Sequence, residues 1–385
     1  MTEIHGEVDE GFGAVADAFA ANFEHRGELG AAFCLYADGV KRADLWGGIA
    51  DKSTGRQWSE DTLQLVFSST KGAVATCIAR LVERGALSYG DAVAEHWPEF
   101  AVNGKDEITV EQLLSHQAGL IAVDERLSFD EIMAVTPIVD ALERQRPLWE
   151  PGAGHGYHAI TYGWLAAELL RRVDGRRIGQ FFREEIAEPL GLDFWIGLPE
   201  EHEHRVSRIE IAAPPTDPAE IEMMMALMGP GTNGYRAMSL DGVISTAGDN
   251  HFNSRALHAT EMPGANGITT ARSLARMYAA TIGEVDGVRL LAPETVEAAR
   301  AERVNGPDLT LVQATRFGAG FWLHNPATPM IQDGSFGHPG AGGSLGYANP
   351  ELGIGYGYVM NQMAANVAGD PRAMALNEAV VASLN

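Results

Sequence analysis

Ser68-Ser69-Thr70-Lys71 places a hydroxyl and an amine three residues apart, and that pair can do covalent chemistry. With four lysines and 15 serines in 385 residues, chance alone predicts only ~0.16 such spacings. On a helix, positions i and i+3 share a face, so the two side chains can touch. The Ser68 amide would sit at a helix N-terminus, where the backbone favours negative charge. A serine hydroxyl is a poor nucleophile until a base takes its proton. A lysine whose pKa is lowered by burial can be that base, and the apolar approach Leu65-Val66-Phe67 would supply the burial. The same spacing also suits an N-cap serine beside an exposed lysine. Two further segments could complete a site. Pro151-Gly152-Ala153-Gly154-His155-Gly156-Tyr157-His158 puts a phenol on a sharply turned loop, able to share a proton with Lys71 or simply to pack. Gly337-His338-Pro339-Gly340-Ala341-Gly342-Gly343-Ser344 lets the backbone approach a ligand, so that an amide there and the Ser68 amide could form an oxyanion hole.

These residues need elements to position them. Val74, Ile78, Leu81 and Val82 predict a helix from about Ser69 to Arg84, stopped by Gly85. Residues 31–50 read as a hairpin around Asp38-Gly39. Val8, Phe12, Val15, Phe19 and Phe23 predict an amphipathic helix from Glu7 to Glu24. The middle of the chain has helical periods, clearest at Leu165 to Val173 and Ile178 to Leu190. Pro214 to Pro218 is a loop, and Met223 to Met228 reads as core or pocket lining. Strand signals return at Phe317–Leu323, Phe336–His338, Gly346–Ala348 and Ile354–Met360, and Asp370-Pro371 opens a last helix. Strand material at both ends with helical material between predicts an α/β layer built from both termini, with a helical insertion.

The order and spacing of Ser68-x-x-Lys71, Tyr157 and the His338-x-Gly340 segment resemble the penicillin-binding-protein-like serine hydrolases. That family includes class C β-lactamases, D-aminopeptidases, D-alanyl-D-alanine carboxypeptidases and family VIII carboxylesterases. The resemblance runs from about Gly30 to Met363, with echoes at Leu113 to Leu120 and at Asn266-Gly267. It implies the β-lactamase/transpeptidase-like α/β (α+β) fold: a mainly antiparallel sheet flanked by helices. Residues 1–67 and 241–385 would form the sheet domain and 68–240 the helical one, with the site in the cleft. It implies Ser68 as the acylated nucleophile, Lys71 and Tyr157 as its proton carriers, and the N–H groups of Ser68 and Ala341 as the oxyanion hole. His338, Gly340 and His158 would bind substrate or support the site.

Departures from the family narrow the reaction. Tyr157-His158-Ala159 stands where the β-lactamases have Tyr-x-Asn, and His338-Pro339-Gly340 where they have a lysine followed by threonine or serine. Both changes remove groups that would hold a β-lactam, and both leave ester cleavage intact, as in the family VIII esterases. The expected function is a serine carboxylesterase acting on small, short-chain esters. The alternatives are a β-lactamase or D-amino-acid amidase, a non-catalytic binding or filament-forming relative, and an acyltransferase. Gly342-Gly343-Ser344-Leu345-Gly346 matches the Gly-x-Ser-x-Gly elbow, but a strand and turn follow it where the elbow needs a helix. His202-Glu203-His204 reads as a solvated loop, and neither a metal nor a nucleotide cofactor is expected. The net charge of −24 disfavours nucleic acid and anionic membranes as partners. Cys34 and Cys77, in apolar surroundings, read as buried thiols. No secretory leader or membrane span is visible, so a cytoplasmic location is expected, with homo-oligomerisation left open.

Overall fold

A computed structural model of the chain describes residues 2–384 except 247 and 249. The N-terminal strands are β1 (Ile4–Val8), β2 (Gly30–Ala37), β3 (Val40–Asp51) and β4 (Arg56–Gln57). Three short strands follow: β5 (Gln64–Leu65), β6 (Phe194–Trp195) and β7 (Ile268–Thr269). The C-terminal strands are β8 (Val304–Pro307), β9 (Ala314–Phe317), β10 (Trp322–Leu323), β11 (Phe336–Pro339), β12 (Leu345–Asn349) and β13 (Ile354–Met360). The main sheet has the order β1-β3-β2-β13-β12-β11-β10-β9-β8, with β4 paired to β3. Neighbouring strands in it run antiparallel. The two ends of the chain therefore meet at the β2–β13 pair, in register from Ala37↔Ile354 to Ala31↔Met360.

The sequence of β13 shows why helices cover both faces. Gly355 and Gly357 alternate with Tyr356 and Tyr358, so the glycines share one face and the tyrosines the other. A Cβ on Gly355 would lie 2.4 Å from Ala279 N, and one on Gly357 2.4 Å from Ala271 O. The Ala271–Ile282 helix lies against that bare face. On the opposite face, Tyr356 Oη donates to Ala373 O of the Pro371–Leu384 helix at 3.2 Å. The Thr70–Glu83 helix is buried along nearly its whole length. Apolar or small residues on every side suit a central helix. It ends in a Schellman turn: Gly85, at φ +68°, donates to Val82 O, and Ala86 donates to Leu81 O.

The Asp38-Gly39 hairpin forms as expected, with both residues at positive φ (50° and 75°). Cys34 and Cys77 are buried free thiols. Four local readings need correction. The first helix spans Gly13–His25, and Ile4–Val8 instead pairs with β3. The edge of β3 offers unpaired backbone groups, and a local helical period does not count them. The stretch Phe317–Leu323 is two strands separated by a corner, and β8 carried no legible signal. Met223, Met224 and Met225 are exposed on a Pro218–Met228 helix that buries no residue, although Met228 does line a cavity. Glu203 is engaged rather than simply solvated: Arg255 Nη1 lies 3.0 Å and His258 Nδ1 2.8 Å from its carboxylate. Among the described residues, no helix is long and apolar enough to cross a membrane.

Candidate active site

The chain enters the Thr70–Glu83 helix from β5 through Phe67, whose φ of 45° is unusual for a bulky side chain. Surrounding contacts hold this bend. Val66 N–H donates to Gly267 O at 2.9 Å, Ser69 N–H donates to Val66 O at 3.1 Å, and Thr70 N–H donates to Phe67 O at 3.0 Å. The Phe67 ring packs on Phe252, with centroids 4.8 Å apart. Strain of this kind persists where neighbours over-determine it, often beside a reacting group. The next residue is Ser68.

Lys71 Nζ lies 3.0 Å from Ser68 Oγ and donates to Ala159 O and Gly264 O, both at 2.6 Å. Lys71 is fully buried, and among the described residues no carboxylate forms an ion pair with it. Burial alone holds its pKa well below the usual lysine range. The Tyr157 ring centroid is 4.9 Å from Nζ. Burial pushes the Tyr157 phenol up, and the Ser68 hydroxyl acts against that rise. The phenol oxygen has no partner of good hydrogen-bond geometry among the described residues.

Ser68, Ala159 and Ala341 line one cavity of about 270 Å³. Phe67, Ile160, Met228, Tyr235, Met238, Ile244, Phe252 and Met363 form its apolar wall, Ser239, Ser245 and Thr246 add hydroxyls, and among the described residues no charged side chain lines it. Neither the Ser68 N–H nor the Ala341 N–H has a backbone acceptor among the described residues. A larger cleft of about 850 Å³, lined in part by Glu143, Glu168, Arg171 and Arg172, contains neither a serine nor a lysine.

His338 and His158 lie outside this cavity. The His338 ring stacks on Tyr157 at 5.9 Å, and its Nδ1 pairs with Pro339 O at 2.7 Å. Burial holds its pKa well below the usual histidine range, so the ring is neutral. His158 Nε2 accepts from Leu120 N–H at 2.9 Å, and Nδ1 pairs with Gly156 O at 2.7 Å. It braces the Tyr157 loop against the 113–120 segment. Gly340 faces the bend before Ser68, where a Cβ would lie 2.2 Å from Val66 O and 2.1 Å from Ser344 Oγ.

Ser344 ends a tight turn and runs into β12, so the helix an elbow serine requires is absent. Its hydroxyl donates to Val66 O at 2.9 Å and lies 3.3 Å from Ser69 Oγ. It buttresses the bend that presents Ser68. Ser344→Ala should lose about 1–2 kcal/mol of stability and keep turnover well above the Ser68→Ala floor. Thermal melts and ester assays on the two variants check this.

Sequence reasoning missed Asp308. Its Oδ1 and Oδ2 accept from Tyr157 N–H at 3.0 and 3.1 Å, and Thr310 and Leu311 N–H donate to Oδ1 at 2.8 and 2.9 Å. Thr315 Oγ1 donates to Oδ2 at 3.0 Å. The local Asx-turn to Thr310 is legible from Asp-x-Thr. The contact with Tyr157, 151 positions away, is not.

The family described as Beta-lactamase matches residues 15–380. Among curated relatives, the esterase/beta-lactamase LipL of Mycobacterium tuberculosis is 37% identical over 380 residues, covering 94% of this chain and 83% of its own. Among solved structures, a family VIII carboxylesterase superposes with a TM-score of 0.89 at 37% identity, covering 99% of this chain and 100% of its own. A penicillin-binding protein homologue from Caulobacter crescentus superposes with a TM-score of 0.88 at 39% identity, with the same coverage.

Proposed function

The chain belongs to the beta-lactamase family and is a serine hydrolase of the ester-cleaving kind, and we propose that it hydrolyses small, short-chain esters through an acyl-enzyme on Ser68. The observation that carries this reading is the contact of a buried, unpaired Lys71 with Ser68 at 3.0 Å. A neutral amine has two N–H bonds and one lone pair. The carbonyls of Ala159 and Gly264 take the two N–H bonds. The lone pair then faces Ser68 Oγ and can accept its proton as the oxygen attacks the ester carbonyl. The negative charge that develops falls to the free N–H groups of Ser68 and Ala341. Tyr157, protonated and beside Lys71, can pass a proton to the leaving alkoxide and take the one Lys71 holds, so that both groups return to their starting states. In the second step water gives a proton to Lys71 as it attacks the acyl carbonyl, and that proton goes to Ser68 Oγ as the acid leaves.

The cavity supports the substrate class. Its volume of about 270 Å³ is small, near the lower end of ligand pockets at ~300–1,000 Å³. Its apolar wall suits a short acyl or alkyl group. Intact-protein mass spectrometry with peptide mapping after fluorophosphonate treatment tests the nucleophile. One adduct on Ser68 is expected, and an adduct on Ser344 would refute the reading.

The relative LipL bears both activities in its name, so β-lactam turnover is the direct comparison. A β-lactam carries a carboxylate, and among the described residues no cation lines this cavity. Leaving such a group unpaired is costly. We expect kcat/KM for a p-nitrophenyl butyrate to exceed that for a chromogenic cephalosporin by at least about 10²-fold. Comparable values would contradict the argument from His338 and Ala159.

A further inference from the structure

Behind the glycine turn that carries Ala341 lies a buried ion cluster that the ester chemistry does not use. Arg372 Nη1 donates to Glu28 Oε1 at 3.0 Å and to Gln362 O at 2.8 Å. Nη2 donates to Asp370 Oδ2 and to Gly342 O, both at 2.8 Å, and Nε donates to Asp370 Oδ1 at 3.0 Å. Every N–H of the guanidinium is thus engaged. Tyr358 Oη donates to the second oxygen of Glu28. The side chains of Glu28, Asp370 and Arg372 are 0%, 2% and 4% exposed.

The turn itself has little internal stiffness. Gly342 and Gly343 adopt φ of 85° and 135°, and glycine leaves those conformations easily. Gly342 is fastened from outside: its N–H donates to Asn366 O at 3.0 Å, and its C=O accepts from Ala364 N–H at 2.9 Å and from Arg372. A Cβ on Gly343 would lie 2.7 Å from both Arg372 Nη2 and Asp370 Oδ2, so the turn rests directly on the ion pair.

We propose that Arg372 is a positioning residue for the oxyanion turn: it holds the Gly342 carbonyl so that the neighbouring Ala341 N–H stays aimed into the cavity, and Glu28 makes that hold depend on pH. This rests on the reading of Ala341 as an oxyanion donor. Two buried carboxylates share one guanidinium, so one of them is under-compensated. The groups around Glu28 are Arg372 from the last helix, Asp370 just before it, Tyr358 from β13, and Glu3 and His5 across one adjoining cleft. His25 and Arg26 line another cleft beside Arg372. Burial raises the Glu28 pKa to about 7, against the opposing pull of Arg372. Above that pH the ionised carboxylate clamps Nη1, and below it the clamp loses its charge assistance.

The test is kcat and KM for p-nitrophenyl butyrate from pH 5.5 to 9, normalised to active sites titrated with a fluorophosphonate. Wild type should show an inflection in kcat near the Glu28 pKa, with the higher value on the alkaline side. Glu28→Gln, which cannot ionise, should lose that inflection and stay at the lower value, with KM changed less than about twofold. Arg372→Lys should lower kcat about tenfold, a fraction of the ~10²–10³ lost when an oxyanion donor is removed outright. Wild-type kcat and pH profile per active site in both variants would overturn the inference, even if their melting temperatures fall. If Arg372→Lys does not fold, the Glu28→Gln profile decides alone. A Ser68→Ala protein that still turns over ester would sink the reading of the site, and this inference with it. A dead Ser68→Ala beside unaltered Arg372→Lys and Glu28→Gln would sink the inference only.

Discussion

Ser68→Ala should reduce hydrolysis of a p-nitrophenyl ester by on the order of 10⁴–10⁶ in kcat, as loss of a nucleophile does in serine hydrolases. The fold should survive. The Ser68 hydroxyl contacts Lys71 Nζ at 3.0 Å, and that nitrogen keeps its bonds to Ala159 O and Gly264 O in the variant. The residual rate should come from the cavity and its free N–H groups, which can still polarise a bound carbonyl. Initial rates, with melting temperature measured alongside, check the expectation. Turnover within tenfold of wild type would show that another residue is acylated.

Lys71→Met has the second-largest expected effect, a loss of about 10²–10⁴ in kcat from removal of the general base. The variant keeps an unbranched side chain, one atom shorter, and loses the amine lone pair that faces Ser68 Oγ. It also carries a signature in stability that a surface lysine would not give. Burial holds the folded pKa of Lys71 well below its unfolded value, which is about 10.4. Between those two values the unfolded chain binds a proton there and the folded chain does not. Stability of the wild type therefore rises with pH across that interval, by about 1.4 kcal/mol per pH unit from this group. Lys71→Met lacks the group, so the difference in stability between the two proteins should move toward wild type as pH rises from 7 to 9. Denaturant titrations at the two pH values check this. An unchanged difference would mean that Lys71 is charged at rest and cannot be the base.

The proximity of Ser68 and Lys71 was legible because the geometry of a helix start is local. Ser68 sits in the turn that opens the Thr70–Glu83 helix, three positions before Lys71, and local geometry of that kind can bring Ser68 Oγ and Lys71 Nζ to 3.0 Å. The hairpin at Asp38-Gly39 and the stop at Gly85 were legible for the same reason, since a positive φ selects its residue types. The first strand was not legible, because its formation depends on the open edge of β3 and not on its own pattern. The methionines of the Pro218–Met228 helix misled because apolar character normally signals burial, and here tertiary position left three of them in solvent.

Residue types and spacing alone pointed to the Ser68–Lys71 pair, to the tyrosine and glycine segments that resemble the family, and to a layer built from strand material at both ends of the chain. Only the tertiary structure decided which of these groups meet. It placed Ser344 under the bend before Ser68 as a buttress, turned His338 and His158 away from the cavity, and set Asp308 beneath Tyr157 and Arg372 beneath Gly342. The physical reason is range. Backbone conformation and i, i+3 neighbours are encoded within a few residues. A buried lysine's lowered pKa or an arginine's grip on a distant turn comes from groups up to hundreds of positions away, brought together only when the sheet closes.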